Sequence, residues 1–154
     1  LNTIQVDNLI ELASNRVIDD ARRYRILRTL FAPAIEASVN PFHCLKGITV
    51  SNPLLSNHLF RRLLRMEDLI HVYIRPPIKD EPEIGHTLVF ERNEWLIVPG
   101  VHGKPGRIFR LTVDDALDFH KNVFLALKTD SKMGWITFAR WYLKWRKRVS
   151  EKWK

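Results

Sequence analysis

Apolar residues recur at helical spacing in the first part of the chain, alternate with polar ones in the middle, and return to helical spacing at the end. Residues 3–15 carry Ile4, Leu9, Leu12 and Ala13 as apolar positions, which predicts a short amphipathic helix. Asp19 or Asp20 can cap a second helix with a stripe of Tyr24, Leu27, Leu30, Phe31 and Ala34. Pro33 falls inside that pattern and predicts a kink, or a stop near Phe31. "NPF" and "SNP" each set a cap residue before a proline. Short helices are therefore expected from Pro41 to Gly47 and from Pro53 to about Met66.

The period then drops from about 3.6 to about 2. "LIHVYIR" places Ile70, Val72 and Ile74 on one side and His71, Tyr73 and Arg75 on the other. "PPIKDEPEIG" reads as a loop, and "HTLVFE" and "EWLIVP" as a hairpin around Arg92 and Asn93. "GVHGKPG" is a turn and "RIFRLT" a last strand. Thr112 with Asp115 makes a short-armed capping box for the helix "VDDALDFHKNVFLALK". A final helix, about 133–152, carries Trp135, Phe138, Trp141, Tyr142 and Trp145. This order describes an α+β fold with a small antiparallel sheet.

The length of 154 residues suits one domain with a core of its own, so 1–154 is read as a single domain. Apolar residues make up 45% and charged ones 27%, a globular balance rather than a disordered one. One cysteine, Cys44, excludes an internal disulfide and a four-thiolate zinc site within the chain, and fits a reducing compartment. No run reaches the ~20 apolar residues of a membrane span. The first residues hold Asp7 and Glu11, lack a basic start and do not read as a signal peptide, so a cytoplasmic location without a membrane partner is expected.

Charge narrows the range of partners most. Lys and Arg number 25 against 17 acids, a formal +8, which favours acidic partners with nucleic acid first among them. Enzyme chemistry finds no comparable support. The six histidines, at 43, 58, 71, 86, 102 and 120, include no pair at metal-chelating helical spacing. Cys44 beside His43 has no evident third partner, and no Walker A or G-x-G-x-x-G motif occurs. Asp114 and Asp118 stand one turn apart at a helix start, where capping accounts for them. No catalytic residue, metal or cofactor is expected.

The segment Val50-Ser51-Asn52-Pro53-Leu54-Leu55-Ser56-Asn57-His58-Leu59, followed by "FRRLLRMEDLIHVYI", resembles the reading helix and first wing strand of winged-helix repressors. "RIFRLTVDDALDFHKNVFLAL" is similar to that family's last strand and following helix. The resemblance implies a winged helix-turn-helix core over residues 20–112, three helices plus a small antiparallel sheet, with an enlarged hairpin region. Flanking helices would lie at the N-terminus and over 113–154. It implies sequence-specific binding of double-stranded DNA by a transcriptional regulator, with residues 53–66 in the major groove.

In that arrangement Leu55, Leu59, Leu63 and Met66 pack the helix down, and Asn52, Leu54, Ser56, Asn57 and Arg61 face the bases. Ser51, Arg62 and Arg65 suit phosphates. His102, Lys104 and Arg107 in "GVHGKPGR" make the wing candidate. Each of these also has a plain reading as a cap, a solvated face or a flexible turn.

Winged-helix dimers often pair through flanking helices, so Phe138, Trp141 and Trp145 are the homodimer candidates. The same rings could instead complete the core of one chain, and "KWRKRVSEKWK" could be a phosphate-binding tail. Two other functions fit: a winged-helix protein-interaction module, or an accessory noncatalytic subunit of a nucleic-acid machine. For the second, "PFHCLKGITVSNP" and "LTVDDALDF" are similar to pieces of the primase large subunit, in the opposite order and without its iron–sulfur cysteines.

Overall fold

The computed structural model describes residues 3–15, 18–39, 61–77, 79, 82–92, 94–129 and 131–153. Helix α1 (Thr3–Ser14) buries Val6, Ile10 and Ala13 and turns Leu12 outward at 46% exposure. The expected stripe through Leu9 and Leu12 is thus rotated. A short helix with apolar residues on two sides lets its neighbours choose the buried one.

Helix α2 (Asp20–Val39) starts at Asp19, whose side chain accepts the backbone N–H of Arg22 at 2.9 Å. It continues past Pro33 to Val39 instead of stopping near Phe31. A proline in a helix interior costs about 3 kcal/mol. Burial of Ala34, Ile35 and Val39 beyond it offsets that cost, at roughly 1.5–3 kcal/mol for each larger side chain.

Arg23, almost fully buried, fastens the helices to one another. Its Nε donates to the Ala13 carbonyl at the end of α1 at 2.6 Å, and its guanidinium pairs with Asp20 and Asp114. Burial works against its charge, but the two carboxylates outweigh that and hold its pKa up.

The expected helix 41–47 and most of the expected helix 53–66 lie outside the described residues. Residues 61–63 are helical, and the helix ends there rather than at Met66. Met66 N–H bonds the Arg61 carbonyl at 3.0 Å and Arg65 N–H the Arg62 carbonyl at 3.1 Å, with Arg65 at φ +52°. These are the two bonds of a Schellman stop, here made with a non-glycine residue in the left-handed position. Leu64 and Met66 go into the core, and Leu63, expected to pack, faces outward.

The sheet has five strands in the order β3-β2-β1-β4-β5: β1 (Leu69–Ile74), β2 (Ile84–Glu91), β3 (Glu94–Pro99), β4 (Arg107–Leu111) and β5 (Ser150–Lys152). The hairpin β2–β3 closes beyond the pair Glu91↔Glu94 as expected, with Arg92 at φ +51°. The all-antiparallel expectation is corrected, because β4 lies parallel to β1 in the register Tyr73↔Arg110. The cause is the segment 100–106. It carries the chain from β3 back across β2 and β1 instead of turning it.

That crossover is tied to the sheet face at each step. Gly100 N–H bonds the Gly85 carbonyl at 2.9 Å, and Thr87 Oγ1 donates to the Gly100 carbonyl at 2.8 Å and accepts from His102 N–H at 2.9 Å. His71 Nε2 sits 2.8 Å from the His102 carbonyl, and Gly106 N–H bonds the Leu69 carbonyl at 2.8 Å. Thr87 and His71 are buried beneath it.

The opposite face of the sheet, with Ile70, Val72, Ile74, Leu88, Trp95, Phe109 and Leu111, joins the helices in one core cluster. Helix α3 (Val113–Thr129) starts with the expected capping box: Asp115 N–H to Thr112 Oγ1 at 3.1 Å and Thr112 N–H to Asp115 Oδ2 at 3.2 Å. Helix α4 (Lys132–Val149) is capped by Ser131, which accepts from Gly134 N–H at 3.0 Å. The chain leaves it at Ser150, where φ −139° and ψ 164° begin β5, so the helix expected to reach 152 stops short and the last residues pair with β4.

Candidate nucleic-acid interface

Ser51, Asn52, Leu54, Ser56 and Asn57 lie outside the described residues. Arg61 is occupied inside the fold: it pairs with Asp68 and its guanidinium lies 4.9 Å from the Phe90 ring centre. Arg62 and Arg65 are exposed, and the Arg65 carbonyl accepts from Arg146 Nη1 at 2.6 Å.

Arg107 is likewise occupied. Its Nε is 3.0 Å from Glu67 and its Nη1 3.1 Å from Ser150 Oγ, with the side chain only 12% exposed, so it ties β5 to the segment leading into β1. Lys104 is exposed on the crossover, and His102 Nε2 lies 3.0 Å from the Pro99 carbonyl. A projecting wing at 100–107 is therefore corrected to a segment laid flat on the sheet.

The aromatic strip is also corrected. Phe138 and Trp145 are core residues and Trp141 is half-buried. Trp141 stacks on Phe138 at 5.9 Å and on Trp145 at 5.5 Å, and Trp145 stacks on Phe119 at 5.4 Å. These rings complete the core of one chain, the second of the two readings open at the sequence level.

Burying those rings turns the other side of α4 to solvent. The sequence KMGWITFARWYLKWRKRV holds six basic residues and no acid. Lys132, Arg140, Lys144, Lys147 and Arg148 are exposed, with Met133 and Ile136 near the helix start. Cations in a last turn stabilise the helix through its dipole, which accounts for Arg146, Lys147 and Arg148. It does not account for Arg140 and Lys144, which stand further back. Those two with Lys147 form an acid-free row on one face, spaced four and three apart.

Beyond the end of that row lies a depression of about 340 Å³, lined by Arg75, Arg110, Arg148, Ser150 and Glu151 over Ile108 and Val149. Arg110 lies over the Tyr73 ring at 5.1 Å and is 4.0 Å from Glu151, and Arg148 pairs with Asp115 at 3.1 Å. Neither Arg75 nor Arg110 stands out in the sequence as a binding residue. The signal was there, as the polar alternates of two strand patterns, but only the parallel pairing of β1 with β4 brings them together.

Among the described residues, no three His, Cys, Asp or Glu side chains stand together as a metal site. No helix among them is long and apolar enough to cross a membrane. Comparison with protein-family models, with curated proteins and with solved structures finds no match.

Proposed function

We propose that this α+β chain is a noncatalytic nucleic-acid-binding protein that holds the phosphate backbone along the outer face of α4. The observation that carries the reading is the acid-free row Arg140, Lys144 and Lys147, held outward by the burial of Phe138, Tyr142 and Trp145 on the other side. A rigid helix presents these cations at fixed spacing, about 6 Å between Arg140 and Lys144 from the helical rise. Phosphate contacts of this kind give affinity and register without reading bases.

The finer reading is a homodimeric winged-helix transcriptional regulator with residues 53–66 in the major groove of duplex DNA. It is supported by the sequence resemblance at 50–59 and by the sequence of helices followed by β1 and β2. A protein-interaction module is the second reading, favoured by Met133 and Ile136 exposed on the same helix as the cations. An acidic protein partner would use both.

The test is binding of labelled duplex and single-stranded oligonucleotides between about 50 and 200 mM salt. Three or four neutralised phosphates give a log–log slope near −3, so affinity falls roughly 50–100-fold over that range. Charge reversal at Arg140, Lys144 and Lys147 together is expected to abolish measurable binding with the fold intact. Binding that ignores both salt and the reversal overturns the proposal. Base preference that survives the reversal supports the groove-reading helix.

A further inference from the structure

We infer that the depression bounded by Arg75, Arg110 and Arg148 is a phosphate-monoester site that takes the terminal phosphate of a nucleic-acid strand lying along α4. The inference rests on the nucleic-acid reading and adds a ligand and a location to it.

Three arginines from three different parts of the chain line this one depression: Arg75 just after β1, Arg110 near the end of β4 and Arg148 in the last turn of α4. Two of them are held in place. Arg110 is fixed over Tyr73, and Arg148 is anchored by Asp115, which the capping box with Thr112 itself holds. Arg75 makes no ion pair among the described residues. Its backbone N–H bonds the Leu111 carbonyl at 2.8 Å, which pins the root of the side chain at the rim. Each guanidinium carries five N–H donors, and the single contacts to Asp115 and Glu151 leave most of them unused.

Charge and shape both select a monoester. Three arginines against Asp115 and Glu151 leave one net positive charge. A phosphate monoester brings about −1.5 to −2 and three free oxygens. A diester inside a strand brings one charge and two free oxygens, with a chain leaving on both sides. Arginines brought to one depression from three separate elements match the former, and arginine suits it through paired N–H contacts.

The volume of about 340 Å³ is at the small end of ligand sites and has room for one terminal phosphate group. Arg148 belongs both to this site and to the outer face of α4, so a strand following Arg140, Lys144 and Lys147 leads its end to Arg75.

The experiment compares one short oligonucleotide carrying a 5′-phosphate with the same oligonucleotide carrying a 5′-hydroxyl, by fluorescence anisotropy with the full chain. The phosphorylated strand is expected to bind about tenfold more tightly, a difference of about 1.4 kcal/mol. Arg75→Gln is expected to erase that preference and leave the affinity for the 5′-hydroxyl strand unchanged. Arg110→Gln supplies an independent second variant, and thermal melting checks both folds.

Equal affinity for the two strands, with the α4 charge reversal still weakening both, overturns the site and leaves the backbone-binding function standing. A nucleoside monophosphate that binds in an Arg75-dependent way, while neither oligonucleotide binds, overturns the strand end as the source. Inorganic phosphate that competes only with the phosphorylated strand supports the inference.

Discussion

His120 makes the stability of this protein depend on pH in a way that can be worked out in advance. Its side chain is fully buried in α3, beside Phe119, and burial alone pushes the imidazole from the ordinary 6.5 down to about 3. In the unfolded chain it titrates near 6.5. Between these two values the unfolded state holds a proton that the folded state does not, so stability falls as the solution is acidified. Each pH unit within that window is worth about 1.36 kcal/mol. Going from about pH 6.5, where the unfolded imidazole is already half-protonated, to about pH 4.5 should therefore cost roughly 2.3 kcal/mol, a large share of the 5–15 kcal/mol typical of a folded protein.

Two other groups act in the same range. His86, packed against Phe31, is also lowered by burial and adds to the loss. Asp118 is raised, chiefly by burial, so it favours the folded state at low pH and opposes the loss. The His120 contribution is isolated by urea unfolding of the wild type and His120→Gln at a series of pH values. Gln keeps a donor and an acceptor but cannot take up the proton. The variant is expected to lose about 2–3 kcal/mol less than the wild type over that range, whatever its stability at neutral pH. Parallel pH curves for the two proteins would show that His120 does not carry this pH dependence.

Two further substitutions test the backbone. Arg65 stands at φ +52° in the helix stop, so Arg65→Gly is expected to stabilise the protein by about 0.5–1 kcal/mol, measured by denaturant midpoint. Gly106 lies so close to Glu67 that an added Cβ would meet its Cβ at 2.7 Å. Gly106→Ala is therefore expected to destabilise by about 1–3 kcal/mol and to lower the thermal midpoint, since the Glu67–Arg107 pair must shift with it. An unchanged midpoint would show that this segment adjusts freely.

Interactions within a few residues were legible in the sequence because they do not depend on what lies across the fold. Thr112 and Asp115 form their capping box from spacing alone, and the β2–β3 hairpin closes where Arg92 and Asn93 interrupt two alternating runs. The helical pattern of α4 is equally local.

Which side of a pattern finds a partner was a different matter. Pro33 argues for a break, and α2 continues because buried side chains beyond it outweigh one lost hydrogen bond. Arg61 and Arg107 look like free cations until Asp68 and Glu67 are placed beside them. Phe138 and Trp145 suit a dimer contact equally well until Phe119 is stacked on Trp145.

The largest difference comes from the glycine-rich segment 100–106, which spacing reads as a turn and the fold uses as a crossover. Hydrogen bonds to Gly85, Thr87, His71 and Leu69 decide that path, and those residues stand far away in sequence. The path sets β4 beside β1 and so brings Arg110 and Arg75 to one depression with Arg148. Sequence determined the helical and strand periods, the caps and the excess of basic charge. Tertiary structure alone decided which cations are covered within ion pairs and which stay open to solvent around one depression, because that depends on contacts between residues distant in the chain.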